Sequence, residues 1–364
     1  MNLDIYKKIM SDKGSSKKGT VNVPLAEYLV EEDYEPEFLS TNVITLNLLF
    51  SGRVHGGIAK GKISMMSAPS MLGKSFVAMS IVKSAQKKGM NVVVIDTERA
   101  FSFKTAKALG IDTSKEKLVV LQDNSLEQVE TIILKIVNDI PKKDRKNILF
   151  VIDSWGTLVT SKTIEDGLAG KDVKNMTESQ KKNRLANVIL NTQATFFVIN
   201  HVYDNTGGFG DPMKIPGGRR IMFNSDAVVL GTSRAKHKEK DGAKDVVVGH
   251  IISAQTFKSR YSIEKSVLQF RIKHNGGLDV FFGLKEEAIK GNYIKNSKPG
   301  WFVRSHIKDD KPVKEDKMYT MDFWYDIFKN TDFKEFLEKR YCFSNEFDIV
   351  EHDDKIEEIT KKGE

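Results

Sequence analysis

Between residues 60 and 275 short apolar runs alternate with stretches of helical period. The runs at 63–66, 92–95, 119–121, 148–152, 196–199 and 228–230 are rich in β-formers and bounded by polar residues or glycine. They are continuous rather than alternating, which is the pattern of strands covered on both faces. The intervening stretches 76–87, 126–137 and 185–190 repeat their apolar residues at helical spacing. Strand–helix alternation of this kind predicts an α/β domain, residues 51–275, built on a largely parallel buried sheet flanked by helices. Ligands of such sheets sit beyond the carboxyl ends of the strands, so polar residues at those ends become the candidates for chemistry.

The flanks read differently. Residues 1–20 place Leu3, Ile5, Tyr6, Ile9 and Met10 at roughly helical spacing among Lys7, Lys8, Lys13, Lys17 and Lys18, with a Gly14-Ser15-Ser16 break. A short amphipathic element on a tether follows, expected to dock on a neighbouring subunit within an N-terminal oligomerisation region, 1–50. From about Gly276 the character changes to Trp301-Phe302-Val303 and then Phe323-Trp324-Tyr325-Asp326-Ile327-Phe328. That predicts a small C-terminal α+β domain over 276–343 and then an acidic tail, 344–364.

Composition narrows the class. Of 364 residues 40% are apolar and 29% charged, as in a soluble globular protein with ample core. No apolar run approaches membrane-spanning length and no signal-peptide stretch follows the start. One cysteine, Cys342, excludes an internal disulfide framework and suits a reducing cytoplasm. The net charge of +8 is unevenly spread: residues 344–364 hold eight acids against three lysines, a tail of −5 on a body of +13. A basic body with an acidic tail fits a polyanion binder whose tail competes with the polyanion.

The chemistry begins at Ala68-Pro69-Ser70-Met71-Leu72-Gly73-Lys74-Ser75, between the run at 63–66 and the helical pattern that opens at Phe76. Strand, loop and helix in that order make a P-loop, whose backbone N–H groups wrap polyphosphate. Lys74 is placed to reach the terminal phosphates of a nucleoside triphosphate and Ser75 to ligate Mg²⁺. The run at 148–152 ends in Asp153, a second Mg²⁺ holder, directly or through water. Many P-loop motors carry glutamate next, but here the residue is Ser154. The base for water therefore has to come from elsewhere, and Glu98, at the end of Asp96-Thr97-Glu98 on the neighbouring run, is the candidate. A third run ends in Asn200-His201, where His201 is expected to contact the γ-phosphate-linked water and open the loop that follows.

Two segments leave the same edge. Residues 160–182 carry Lys162, Lys171, Lys174, Lys181 and Lys182; residues 202–219 carry five glycines, including Gly217 and Gly218, with Phe209, Lys214 and Arg219. Both are expected as long loops, and flexible backbone with cations and a few apolar wedges suits single-stranded nucleic acid. The candidate nucleic-acid contacts are Lys171, Lys174, Lys181, Phe209, Lys214, Gly217, Gly218 and Arg219, DNA contacts if the resemblance below holds.

Taken in order, several motifs carry a resemblance over most of the chain. They are Ser51-Gly52 with Gly56-Gly57-Ile58, Asp96-Thr97-Glu98, Leu109-Gly110-Ile111-Asp112, Ser125-Leu126-Glu127-Gln128 and Val151-Ile152-Asp153-Ser154. Ile199-Asn200-His201, the Gly217-Gly218 pair, Lys258-Ser259-Arg260 and Gly276-Gly277-Leu278-Asp279 continue the series. The chain resembles the RecA-type recombinases, and Asn200-His201 with Pro299-Gly300-Trp301-Phe302 makes it similar to the UvsX-type members of T-even-like phages.

The resemblance implies ATP bound between adjacent protomers of a helical filament on single-stranded DNA, in the cytoplasm of a bacterial host. It also implies homologous pairing and strand exchange with duplex DNA in recombination, repair and recombination-dependent replication, helped by a mediator and a single-strand-binding protein. Glu98 matches the family's catalytic glutamate. His201 stands where bacterial members carry a glutamine that couples the γ-phosphate to the second loop. Lys258 and Arg260 match cations that reach the neighbour's ATP. There are two departures. Ala68 replaces the first P-loop glycine, and Thr105 stands where an adenine-stacking tyrosine is expected, with Phe101 or Phe103 as its substitute. A RecA-fold ring helicase shares the P-loop and trans cations. A non-catalytic paralogue acting as a nucleotide-gated DNA scaffold is the other alternative, against which the complete set Lys74, Ser75, Glu98 and Asp153 argues.

Overall fold

A nine-stranded sheet organises the chain. In the computed structural model the described residues are 36–170, 176–204, 213–214, 218–242, 244–305 and 312–343. The strands of the large sheet are β1 (Ile63–Ser67), β2 (Asn91–Asp96), β3 (Leu118–Leu121), β4 (Ile148–Asp153), β5 (Thr195–Asn200), β6 (Ala227–Asp241), β7 (Lys244–Ser259), β8 (Val267–Lys273) and β9 (Gly277–Leu278). Their spatial order is β9-β8-β7-β6-β1-β5-β4-β2-β3. The six strands from β6 to β3 run parallel, with Met66 opposite Ile199 and Asp96 opposite Asp153. Strand ends carrying candidate residues are thereby brought to one edge.

Adjacent residues of β5 show why the runs are continuous. Phe196 packs into one core with Phe150, Ile133 and Trp155, and Phe197 into the other with Phe50, Val77 and Ile81. Phe150 and Phe196 stack with centroids 4.8 Å apart. Each buried ring contributes roughly 1.5–3 kcal/mol over leaving it in water, so both faces hold the sheet. The covering helices follow the expected periodicity. Leu126–Asn138 buries Leu126, Val129, Ile133 and Val137 and is capped by the Ser125 hydroxyl, which accepts from the Gln128 N–H.

Three expectations need correction. The run at 228–230 is only the start of β6, a 15-residue strand that pairs antiparallel with the 16-residue β7. The outer part of β6, with Lys236, Lys238 and Lys240 exposed, is too polar to read as a strand in sequence. Residues 160–182 do not form one long loop, because Ser161–Leu168 is helical and Met176–Thr192 begins another helix within the segment. Residues 37–50 belong to the larger of two compact units, which opens at Glu37, and every residue of the helix Ile44–Ser51 is buried. The amphipathic element expected in 1–20 and the acidic tail 344–364 lie outside the described residues.

Beyond β9 a three-stranded antiparallel sheet (Ile294–Lys298, Trp301–Ser305, Pro312–Asp316) combines with helices Lys285–Lys290, Met321–Asn330 and Phe333–Tyr341. Phe323, Trp324, Phe333 and Leu337 fill the interior of this small α+β region. Its last helix seats on the buried helix Ile44–Ser51, and a Cβ on Gly52 would come within 2.3 Å of the Cys342 Cα. Among the described residues no helix is long and apolar enough to cross a membrane.

Candidate nucleotide site

The loop after β1 is shaped by one glycine and one alanine. Gly73 has φ 77°, a conformation that favours glycine, and a Cβ there would displace the Ile272 Cδ1, 2.1 Å away. Ala68 does not adopt a positive φ. Its methyl is buried beside Gly231, where an added Cβ would come within 2.8 Å of it. The side chain absent at Gly231 thus makes room for the one at Ala68.

The helix Lys74–Lys87 starts directly after Gly73 and aims its first N–H groups into the loop. Lys74 is buried, and its Nζ donates to the carbonyls of Ala68 and Pro69, each at 2.9 Å. Burial pushes its ammonium pKa down, against the pull of the Asp153 and Glu98 charges. The Ser75 hydroxyl donates to Asp153 Oδ2 at 2.8 Å. Burial raises the Asp153 carboxyl above its usual range, opposed by that hydrogen bond. A hydroxyl and a carboxylate side by side, with phosphates and water to complete the shell, are hard oxygen donors that suit Mg²⁺.

Glu98 leaves β2 two residues after Asp96. Asp96 accepts the N–H groups of Ala100 and Phe101 and the Gln122 amide, all at 3.0 Å, which fixes the turn around Glu98. Glu98 Oε1 accepts from Ser154 Oγ at 2.7 Å and from His201 Nε2 at 2.8 Å. Burial works to raise this carboxyl, but the hydrogen bonds from Ser154 and His201, with the His201 and Lys74 charges, hold it below the ordinary glutamate value.

These groups line a cleft of about 570 Å³: Lys74, Ser75, Glu98, Asp153 and His201 on one side, with Phe76 at the helix start. Ser70, Met71 and Gly73 also reach it. The facing wall was missed in sequence. It consists of Arg234, His250, Ile252, Ile272, Lys273 and His274, from β6, β7 and β8, together with the residue after β8. Arg234 Nη1 donates to the Met71 carbonyl at 3.1 Å, bridging the two walls. The available signal was the cation pattern Arg234, Lys236, Lys238, which places the charge but not the pairing that folds it over the P-loop.

Other expected residues fall elsewhere. Phe101 and Phe103 pack edge-on with centroids 5.1 Å apart, and neither lines the cleft; the Thr105 hydroxyl bonds Ser102. Lys258 and Arg260 also lie outside it. Lys258 Nζ donates to the carbonyls of Phe223 at 2.6 Å and Ser225 at 2.7 Å, closing the short helix Arg219–Asn224. Burial, then the Arg260 charge, depresses its pKa. Arg260 Nε stands 3.4 Å from Asp226 Oδ1 and is largely exposed.

Among the expected DNA contacts, Lys181 lies on the helix Met176–Thr192 and pairs with Glu127. Lys182, on the same helix, is buried and pairs with Glu178. Gly218, with φ 93°, opens the helix on which Arg219 is exposed. Lys214 belongs to a two-residue strand, Met213–Lys214, paired with Tyr203–Asp204. Lys171, Lys174, Phe209 and Gly217 lie outside the described residues.

A largely parallel sheet with a P-loop after its central strand, and with acidic groups ending β4 and β2 at the same edge, defines a P-loop nucleotide-binding fold. The RecA N-terminal domain profile matches residues 26–279, and that of the C-terminal domain of the bacteriophage T4 recombination and repair protein matches 281–337. The recombination and repair protein of Enterobacteria phage T4 is 25% identical, over 96% of this chain and 90% of its own length. RecA proteins of Rhodopirellula baltica and Clostridium acetobutylicum are each 28% identical, over 72% and 74% of this chain and 67% and 74% of their own. The chain belongs to the RecA family.

Proposed function

We propose that this RecA-family recombinase is a DNA-dependent ATPase that forms filaments on single-stranded DNA and pairs that strand with homologous duplex. The observation that carries the reading is the convergence of Lys74, Ser75, Asp153, Glu98 and His201 on one cleft at the carboxyl edge of the sheet. Lys74 exchanges its two carbonyl acceptors for phosphate oxygens, which are stronger partners for an ammonium. Ser75 and Asp153 would hold Mg²⁺, which would supply charge neutralisation to the phosphates. Glu98 takes the proton of the attacking water, and His201 links the γ-phosphate position to the segment after β5.

Lys258 and Arg260 complete the site of an adjacent protomer, so ATP holds the filament together and its hydrolysis releases DNA. The N-terminal region supplies a further protomer contact. The segments 160–182 and 202–219 track the single strand through Lys171, Lys174, Lys181, Phe209, Lys214, Gly217, Gly218 and Arg219. Homology is tested by base pairing, since these residues offer no base-edge code. A recombination mediator and a single-strand-binding protein are the expected helpers, in the cytoplasm of a bacterial host.

The test is ATP-dependent joint-molecule formation between a labelled single strand and supercoiled duplex. Joints with homologous but not heterologous duplex are expected. Fork unwinding without homology, in place of joints, would identify a translocase instead.

A further inference from the structure

Two donors converge on one oxygen of Glu98, and they are anchored differently. Ser154 is completely buried and its backbone is fixed at both ends. Its N–H donates to Thr97 Oγ1 at 2.6 Å, and its carbonyl accepts from Thr97 Oγ1 at 3.0 Å and Thr157 Oγ1 at 2.9 Å. The hydroxyl that meets Glu98 at 2.7 Å is therefore a preset donor on the frame of the sheet. His201 directly follows β5, where the chain passes into residues 202–219, so its hold on Glu98 belongs to a segment proposed to meet DNA. Among the described residues no hydrogen bond reaches the other oxygen, Oε2.

We propose that Ser154 is the positioning residue for the water-activating carboxylate: it pins Oε1 of Glu98 whether or not DNA is bound, so that Oε2 is presented to the attacking water. The inference rests on Glu98 being the base. A carboxylate pinned at one oxygen by a rigid hydroxyl loses the freedom to rotate its second oxygen off the water, and misplacement by about 1 Å can cost on the order of a hundredfold in rate. The position that in many P-loop motors holds the base itself here holds the group that aims it.

The experiment measures ATP hydrolysis and Mg²⁺-ATP affinity for the full chain and for Ser154→Ala, Glu98→Gln and the double variant, with and without single-stranded DNA. For Ser154→Ala, kcat is expected to fall about tenfold or more, with nucleotide affinity and Mg²⁺ dependence within about twofold of the parent. The loss is expected to be the same with and without DNA. On the residual rate of Glu98→Gln, Ser154→Ala should add nothing, because residues acting as a unit are not additive.

An unchanged kcat in Ser154→Ala, beside a strong loss in Glu98→Gln, overturns the positioning role alone. Full activity in Glu98→Gln overturns the base assignment and the inference with it. A further loss in the double variant, or weakened Mg²⁺-ATP binding in Ser154→Ala, assigns Ser154 to the metal or to the frame and overturns the proposal. Thermal unfolding of Ser154→Ala alongside the parent separates misfolding from a kinetic defect.

Discussion

Lys74 and Lys258 are a matched pair in two different regions. Each is a lysine whose ammonium is desolvated, depressed in pKa and hydrogen-bonded to backbone carbonyls, Lys74 to two at 2.9 Å and Lys258 to three at 2.6–3.4 Å. Lys74 faces the cleft of its own chain, where a phosphate needs only to displace the Ala68 and Pro69 carbonyls. Lys258 lies outside that cleft and closes the helix that follows the second proposed DNA segment. The difference teaches that one cation is held where its proposed phosphate would sit, and the other on an element it would have to leave to play its proposed part. Lys181, paired with Glu127, is a third stored cation, held by a carboxylate at a partly exposed site.

The largest effect separates the two lysines. Lys74→Ala should abolish nucleotide-dependent filaments and lower ATP hydrolysis at least about a hundredfold, since it removes a charge aimed at the transferring phosphoryl group; electron microscopy with a phosphate-release assay checks both. Next is the neighbour's side of the comparison. Arg260→Ala should be inactive alone yet regain part of its ATPase when mixed with Lys74→Ala protomers, which carry intact trans cations. No recovery across a range of mixing ratios, in filaments shown to contain both, would place Arg260 in a structural role with Asp226. Deleting residues 344–364 removes −5 of charge, so affinity for single-stranded DNA should rise most at low salt and the salt slope should change.

The smallest effect concerns the third stored cation. Burial works to raise the Glu127 carboxyl, but hydrogen bonds from Lys181 and Ser161 outweigh it and hold the group at about 2 rather than 4.5. A depressed carboxyl gives stability that is full above about pH 4.5 and is lost as the pH falls through about 2. At this partly exposed site it is about 1 kcal/mol or less. Chemical denaturation of Glu127→Gln should therefore differ from the parent at neutral pH and converge on it in acid.

Most of the parallel half of the sheet was legible because its strands are covered on both faces, and burial on both faces writes an unbroken apolar run. Glu98 and Asp153 were found for the same reason, since each caps such a run. The β6–β7 hairpin was not legible. Its outer residues, Arg234, Lys236 and Lys238, face water, and a solvated strand carries no apolar run to mark it. With the hairpin went the facing wall of the cleft, including His250 and Lys273. Segment 160–182 was misjudged because its helix Ser161–Leu168 buries no residue, and its capping hydroxyl, Thr160, is weak as a sequence signal.

The tight seat of Cys342 against Gly52 also has a practical side. The sole thiol of the chain is half-buried where the last helix meets the buried helix Ile44–Ser51, one residue short of the final described position. Alkylating reagents therefore have one address, at the edge of that seam. A chain with a single such address needs no cysteine removal before a dye is attached, and the dye sits at the root of the acidic tail.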